Sequence, residues 1–211
     1  MVGRIQVVSK YVAPSQGFFE IKKGSSVYRL MEKMTPAMTQ DRLAEFYEAE
    51  KQKGNPLPLN SIQMFGIMED AVRAGDTKLM NFLQDGLRKW PNTLTRVIYN
   101  PAGEKDEIIH NYGTSGAYSL FGDIVGLDGW VSDIKDKLTL KSLLGISDTR
   151  KLNRVSNKIN STQMYVWRLN SKPSKKDERV VRFNAYSDRL YLDCNWYPLY
   201  EYPAFRVLQV E

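Results

Sequence analysis

From Thr39 to Pro91 the apolar residues recur every three or four positions, and after Thr93 that period gives way to shorter, β-prone runs. A helix hides one stripe and a strand one face, so a chain that switches period in this way must pack a helical layer against a sheet. Three helices are punctuated clearly. Thr39 caps a run with Leu43, Phe46 and Tyr47 on one side, and Gly54-Asn55-Pro56 stops it. Asn60 with Gln63 three positions on forms a capping box, and Met64, Phe65, Met68 and Val72 point one way until Gly75. Asp76 opens a third run with Leu79, Met80, Leu83, Leu87 and Trp90, which ends at Pro91. Ser26 to Met34 reads as a further short helix.

Strands are expected at Ile5–Val12, at Phe18–Lys23 and in a hairpin whose arms, Thr93–Asn100 and Glu107–Asn111, flank a polar loop of Pro, Gly and charged residues. The glycines between Tyr112 and Gly129 predict irregular chain, and Leu138–Leu144 and Asp148–Asn160 predict two more helices. Met164–Leu169, Val180–Tyr186, Arg189–Cys194 and Phe205–Val210 return to strand. The expected fold is α+β: about five helices on a mainly antiparallel sheet of N-terminal, hairpin and C-terminal strands, the last at its centre. The 211 residues contain no linker that divides them, so a single domain over 1–211 is expected, with a helical layer at 39–90 and a mixed part at 93–211.

Charge is distributed unevenly. Arg150 to Arg189 holds eleven Lys or Arg against three acids, a balance of +8, whereas the rest of the chain, with 19 basic and 21 acidic residues, balances at −2. A net charge of +6 allows an anionic partner without requiring one. Three parts carry the excess: a helix stripe of Arg150, Arg154 and Lys158, a polar loop with Lys172, Lys175 and Lys176, and strand arginines at 168, 179, 182 and 189. Alternation puts Arg182 on a face with Asn184 and Tyr186, Arg189 with Tyr191 and Asp193, and Arg168 with Met164 and Val166. If those three faces coincide in one sheet, guanidinium forks that suit phosphate stand among rings that suit unstacked bases.

The stretch from Leu140 to Asn160 resembles a helix-turn-helix in its short helix, Gly145 turn and basic second helix. It departs from that pattern where Lys141 replaces the small residue needed for close helix contact, and where the apolar Leu152 and Val155 fall one position late. His110, the only histidine, precedes the Gly-rich Tyr112-Gly113-Thr114-Ser115-Gly116 and is the one candidate catalytic base. One cysteine, Cys194, excludes an internal disulfide, and with a single histidine no metal site and no cofactor are expected. Met1 to Pro14 alternate apolar and polar residues unlike a signal peptide, and no run approaches the roughly 18 apolar residues of a membrane helix. A cytoplasmic protein that avoids membranes is therefore expected. The leading functional reading is binding of nucleic acid or another polyanion. An enzyme acting on a phosphorylated or nucleotide substrate, and an interaction protein for an acidic partner, are the alternatives.

Overall fold

The structure, a computed structural model, describes residues 17–23 and 26–210, so the strand read at Ile5–Val12 lies outside it. In chain order its elements are β1 (Phe18–Lys23), β2 (Ser26–Met31), α1 (Gln40–Gln52), β3 (Leu57–Pro58), α2 (Ser61–Ala74), α3 (Thr77–Leu87), β4 (Asn92–Tyr99), β5 (Asp106–His110), β6 (Tyr118–Gly122), β7 (Gly129–Trp130), α4 (Lys137–Leu144), α5 (Thr149–Asn160), β8 (Met164–Trp167), β9 (Asp177–Ala185), β10 (Leu190–Trp196) and β11 (Arg206–Val210). The fold is α+β, with two mostly antiparallel sheets.

The expected caps form. Thr39 accepts a hydrogen bond from the Arg42 amide, Asn60 and Gln63 close both arms of a capping box, and Gly75 ends α2 in the left-handed conformation that glycine tolerates best. Two expectations fail. Ser26–Met31 is a strand, not a helix, because its backbone is held between β1 and β11. Tyr118–Gly122 is a strand within the stretch read as irregular, paired antiparallel to β5. The strands also divide: β1, β2, β11 and β3 form one sheet, and β6, β5, β4, β9, β10, β8 and β7, in that order, form the other. β9 and β10 lie inside the larger sheet as expected, but β11 joins the smaller one.

The larger sheet has two unlike faces. Val97, Tyr99, Val181, Phe183, Leu190, Leu192, Met164 and Val166 share the main core with apolar residues of α2, α3, α4 and α5. Cys194 extends that row, fully buried, and its carbonyl accepts the Tyr99 hydroxyl at 2.8 Å. On the opposite face Leu94 packs with Met38, Leu43, Ala44 and Ala204 in a separate small cluster. β4 is accordingly buried at every position, covered by α2 on one side and α1 on the other. Farther along the sheet this second cover ends, and alternate residues of β8 emerge, with Met164 and Val166 buried, Tyr165 half-buried and Trp167 exposed.

The hairpin loop is fastened by one acid. Asp106 is fully buried and accepts the amides of Asn100 (3.0 Å), Ile124 (2.8 Å) and Val125 (3.2 Å) and the Lys172 ammonium (2.7 Å). Removing it leaves three amides and a cation without their acceptor, so Asp106→Ala should destabilise the protein by about 3 kcal/mol. The readout is a lower urea midpoint at unchanged slope.

Candidate nucleic-acid interface

Strand register decides which arginines meet. Across the sheet Asn92 lies opposite Arg182, Arg182 opposite Asp193, and Asn184 opposite Tyr191. Tyr191 in turn lies opposite Tyr165, and Tyr165 opposite Trp130. These residues all project from the face that α2 to α5 leave alone, because the intervening positions are those of the main core. A one-residue bulge between Asp193 and Trp196 puts Trp196 opposite Val180, on that same face.

One end of the face is open and aromatic. The Tyr165 ring lies 5.2 Å from Trp130 and 5.5 Å from Tyr191, and Tyr191 lies 5.7 Å from Trp167 and 5.3 Å from Tyr186. Trp167 is 45% exposed and Tyr186 41%. The Arg189 guanidinium stands among three of the rings, 5.0 Å from Tyr165 and 5.5 Å from both Trp130 and Tyr191, with Asp188 as its ion-pair partner. That pairing is local, with Asp188 exposed and Arg189 half-buried, and it offsets part of the guanidinium's charge while adding little stability.

The other end is covered and polar. Arg182 is almost fully buried, donates from Nε to Asp193 at 3.0 Å, and lies 3.3 Å from the Trp196 ring, 5.0 Å from Tyr202 and 5.2 Å from Trp90. Burial pulls the guanidinium below its ordinary pKa and pushes the Asp193 carboxyl up, and each charge partly restores the other. Tyr186 joins the two ends, 5.3 Å from Tyr191 and 5.8 Å from Trp90.

The ten basic residues singled out in the sequence therefore separate. Arg182 and Arg189 come together on the aromatic face. Arg168, on the parity of Met164 and Val166, turns away and donates to the Ile124 and Leu127 carbonyls. Lys172 is tied to Asp106, and Arg179 to Asp177, Asn195 and the face of Tyr197 at 4.2 Å. Arg150, Arg154 and Lys158 are exposed on α5 and have no ion-pair partner among the described residues. They lie behind the sheet, because Leu152, Val155 and Ile159 of α5 enter the main core. Lys175 and Lys176, also exposed and without an ion pair among the described residues, sit in the loop that leaves β8 past Trp167. Clefts of about 450 and 220 Å³ beside α3 and α2 contain none of the ten, and an open one of about 390 Å³ at the start of α5 contains Arg150 alone of them.

Trp90, Trp130, Tyr165 and Trp167 were missed in the sequence. The alternation Met164-Tyr165-Val166-Trp167 held the signal, on the parity opposite to Arg168. Among the described residues no group of His, Cys, Asp and Glu is placed to hold a metal, and no helix is long and apolar enough to cross a membrane. No family model matches the chain, and no significant similarity joins it to a curated protein or a solved structure.

His110 is fully buried, with Nδ1 3.0 Å from the Thr95 hydroxyl and Nε2 2.8 Å from the Ser142 carbonyl, so both nitrogens have partners inside the protein. Facing a carbonyl, Nε2 carries the proton of the neutral ring. Burial lowers its pKa from the usual 6.5. Below that ordinary value the unfolded chain binds a proton that the folded chain refuses, so the His110 contribution to stability is present near pH 7 and is lost as pH falls through 6.5 toward the depressed folded value. Urea midpoints measured between pH 7.5 and 5 should decline, and His110→Gln should flatten the decline.

Proposed function

We propose that the protein binds single-stranded nucleic acid across the open end of its larger sheet. The observation that carries this reading is the array of Trp130, Tyr165, Trp167, Tyr186 and Tyr191 on the uncovered sheet surface, with the Arg189 guanidinium beside the first, second and last of these rings. Unpaired bases stack on such rings whatever their identity, and a nearby cation takes the phosphate. A duplex keeps its bases stacked on one another, so the same surface favours single strands. Exposed Lys175 and Lys176 precede Asp177, which lies opposite Tyr99 on β4, so on this reading they add to the positive field and not to the aromatic face itself. The α5 stripe of Arg150, Arg154 and Lys158 contributes on this reading only at a distance, as part of the overall positive field.

Anisotropy of labelled oligothymidylate, read at about 50 and 200 mM salt, tests the proposal, since counterion release makes binding weaken steeply with salt. Trp167→Ala and Tyr191→Ala should each weaken binding by about tenfold, the size of one lost base stack. Arg189→Ala should reduce the logarithmic salt dependence by about 0.7, the share of one phosphate contact. Absence of binding at the lower salt, or binding that survives these changes and disappears with Arg150, Arg154 and Lys158, would overturn it.

A further inference from the structure

The covered end of the same face holds a polar group that the fold leaves unfinished. Six buried side-chain nitrogens or oxygens lack a hydrogen-bond partner among the described residues, and four of them belong here: Arg182 Nη1, Trp196 Nε1, Asn92 Oδ1 and Asn184 Oδ1. The amide orientations follow from the other atom of each side chain, as Asn92 Nδ2 donates to the Met38 carbonyl at 3.4 Å and Asn184 Nδ2 to Asp193 at 3.5 Å. Each oxygen is thereby left buried with nothing to accept. Buried polar groups are nearly always paired, and four orphans on neighbouring strand positions are costly to the folded state.

A second observation points to the same place. Trp90, directly before Pro91, has φ 59°, in the left-handed region that a bulky side chain rarely occupies. That backbone lays its indole over the Arg182 guanidinium beside Trp196 and Tyr202. Strain of this kind persists where the surroundings hold it in place, and it clusters at ligand sites.

The chemistry of the four atoms defines a complement. They offer two donors, one of them charged, and two acceptors, between aromatic faces. Guanine presents the matching set: acceptors at O6 and N7, which an arginine reads by preference, and donors at N1 and N2. We propose that Asn92, Arg182, Asn184 and Trp196 form a site for one guanine base of the bound strand, reached from the open aromatic face when the exposed Tyr186 ring turns aside. The site rests on the single-strand reading above and adds base preference to it. Stacking on the open face tolerates any base, whereas hydrogen bonding to four fixed atoms does not.

The test uses the full chain and oligothymidylate of about a dozen nucleotides in which one central base is guanine, adenine, cytosine, hypoxanthine or 7-deazaguanine. Guanine should strengthen binding by about tenfold over the all-thymine strand. Hypoxanthine, which lacks the N2 amine, and 7-deazaguanine, which lacks N7, should each lose most of that gain. Asn184→Ala should abolish the guanine advantage, and the base-analogue series in the unmodified protein carries the test even if this variant does not fold. Equal affinity for every base, or a preference for adenine or cytosine, overturns the guanine site and leaves the single-strand reading standing. Failure of the unmodified protein to bind any of the strands overturns both.

Discussion

The ion pair between Arg182 and Asp193 organises the larger sheet. It joins β9 and β10 at positions directly opposite one another, 3.0 Å apart and almost fully buried. A buried pair of this kind gains little net stability over apolar residues of the same size, but breaking it by removing one partner leaves a stranded charge and costs about 3–5 kcal/mol. Its effect is to forbid slippage. Moving either strand by one residue would carry a charge into the main core and bring Leu192 or Phe183 to the outside. The aromatic face exists in one arrangement because that register does.

From this constraint the two faces acquire different characters. On the core side, helices α2 to α5 complete an apolar interior by ordinary burial. On the other side, α1 and the segment around Ala204 cover only the neighbourhood of β4. Arg96 pins α1 there, donating to Gln40, Asp41 and Glu178 while it stacks 3.5 Å from Tyr112. The rest of that face is closed partly by aromatic rings over Arg182 and partly not at all. The contrast between a covered polar end and an open aromatic end thus comes from where Trp90, Trp196 and Tyr202 close over Arg182.

Much of the fold was legible in the sequence because its signals are local. Caps at Thr39, Asn60 and Asp76, and the glycine stops, act within one helical turn, and they mark α1, α2 and α3 to within a few residues. Ser26–Met31 and Tyr118–Gly122 were misread because their strand character comes from pairing that the runs themselves do not show: β1 and the distant β11 for the first, β5 across a glycine-containing turn for the second. The site was half legible. Parity correctly grouped Arg182 with Asn184 and Arg189 with Tyr191, but nothing in the chain's order announces that β8 runs parallel to β10 and lays Tyr165 beside Tyr191. Net charge was the poorer guide. It ranked Arg168, Lys172 and Arg179 with the rest, although each is held by a carbonyl or carboxylate off the aromatic face.

Cys194 has a consequence of a different kind. Its thiol is the only one in the chain, lies in the apolar row with Leu190 and Leu192, and is held well above its usual pKa by burial. Thiolate is the reactive form, so the folded molecule presents no thiolate to a cysteine-selective alkylating reagent. Access requires β10 to separate from its neighbours, which dismantles the centre of the sheet. The chain therefore contains its own single-residue clock for global opening, in which the rate of modification counts unfolding events and is blind to movements of the aromatic surface above it.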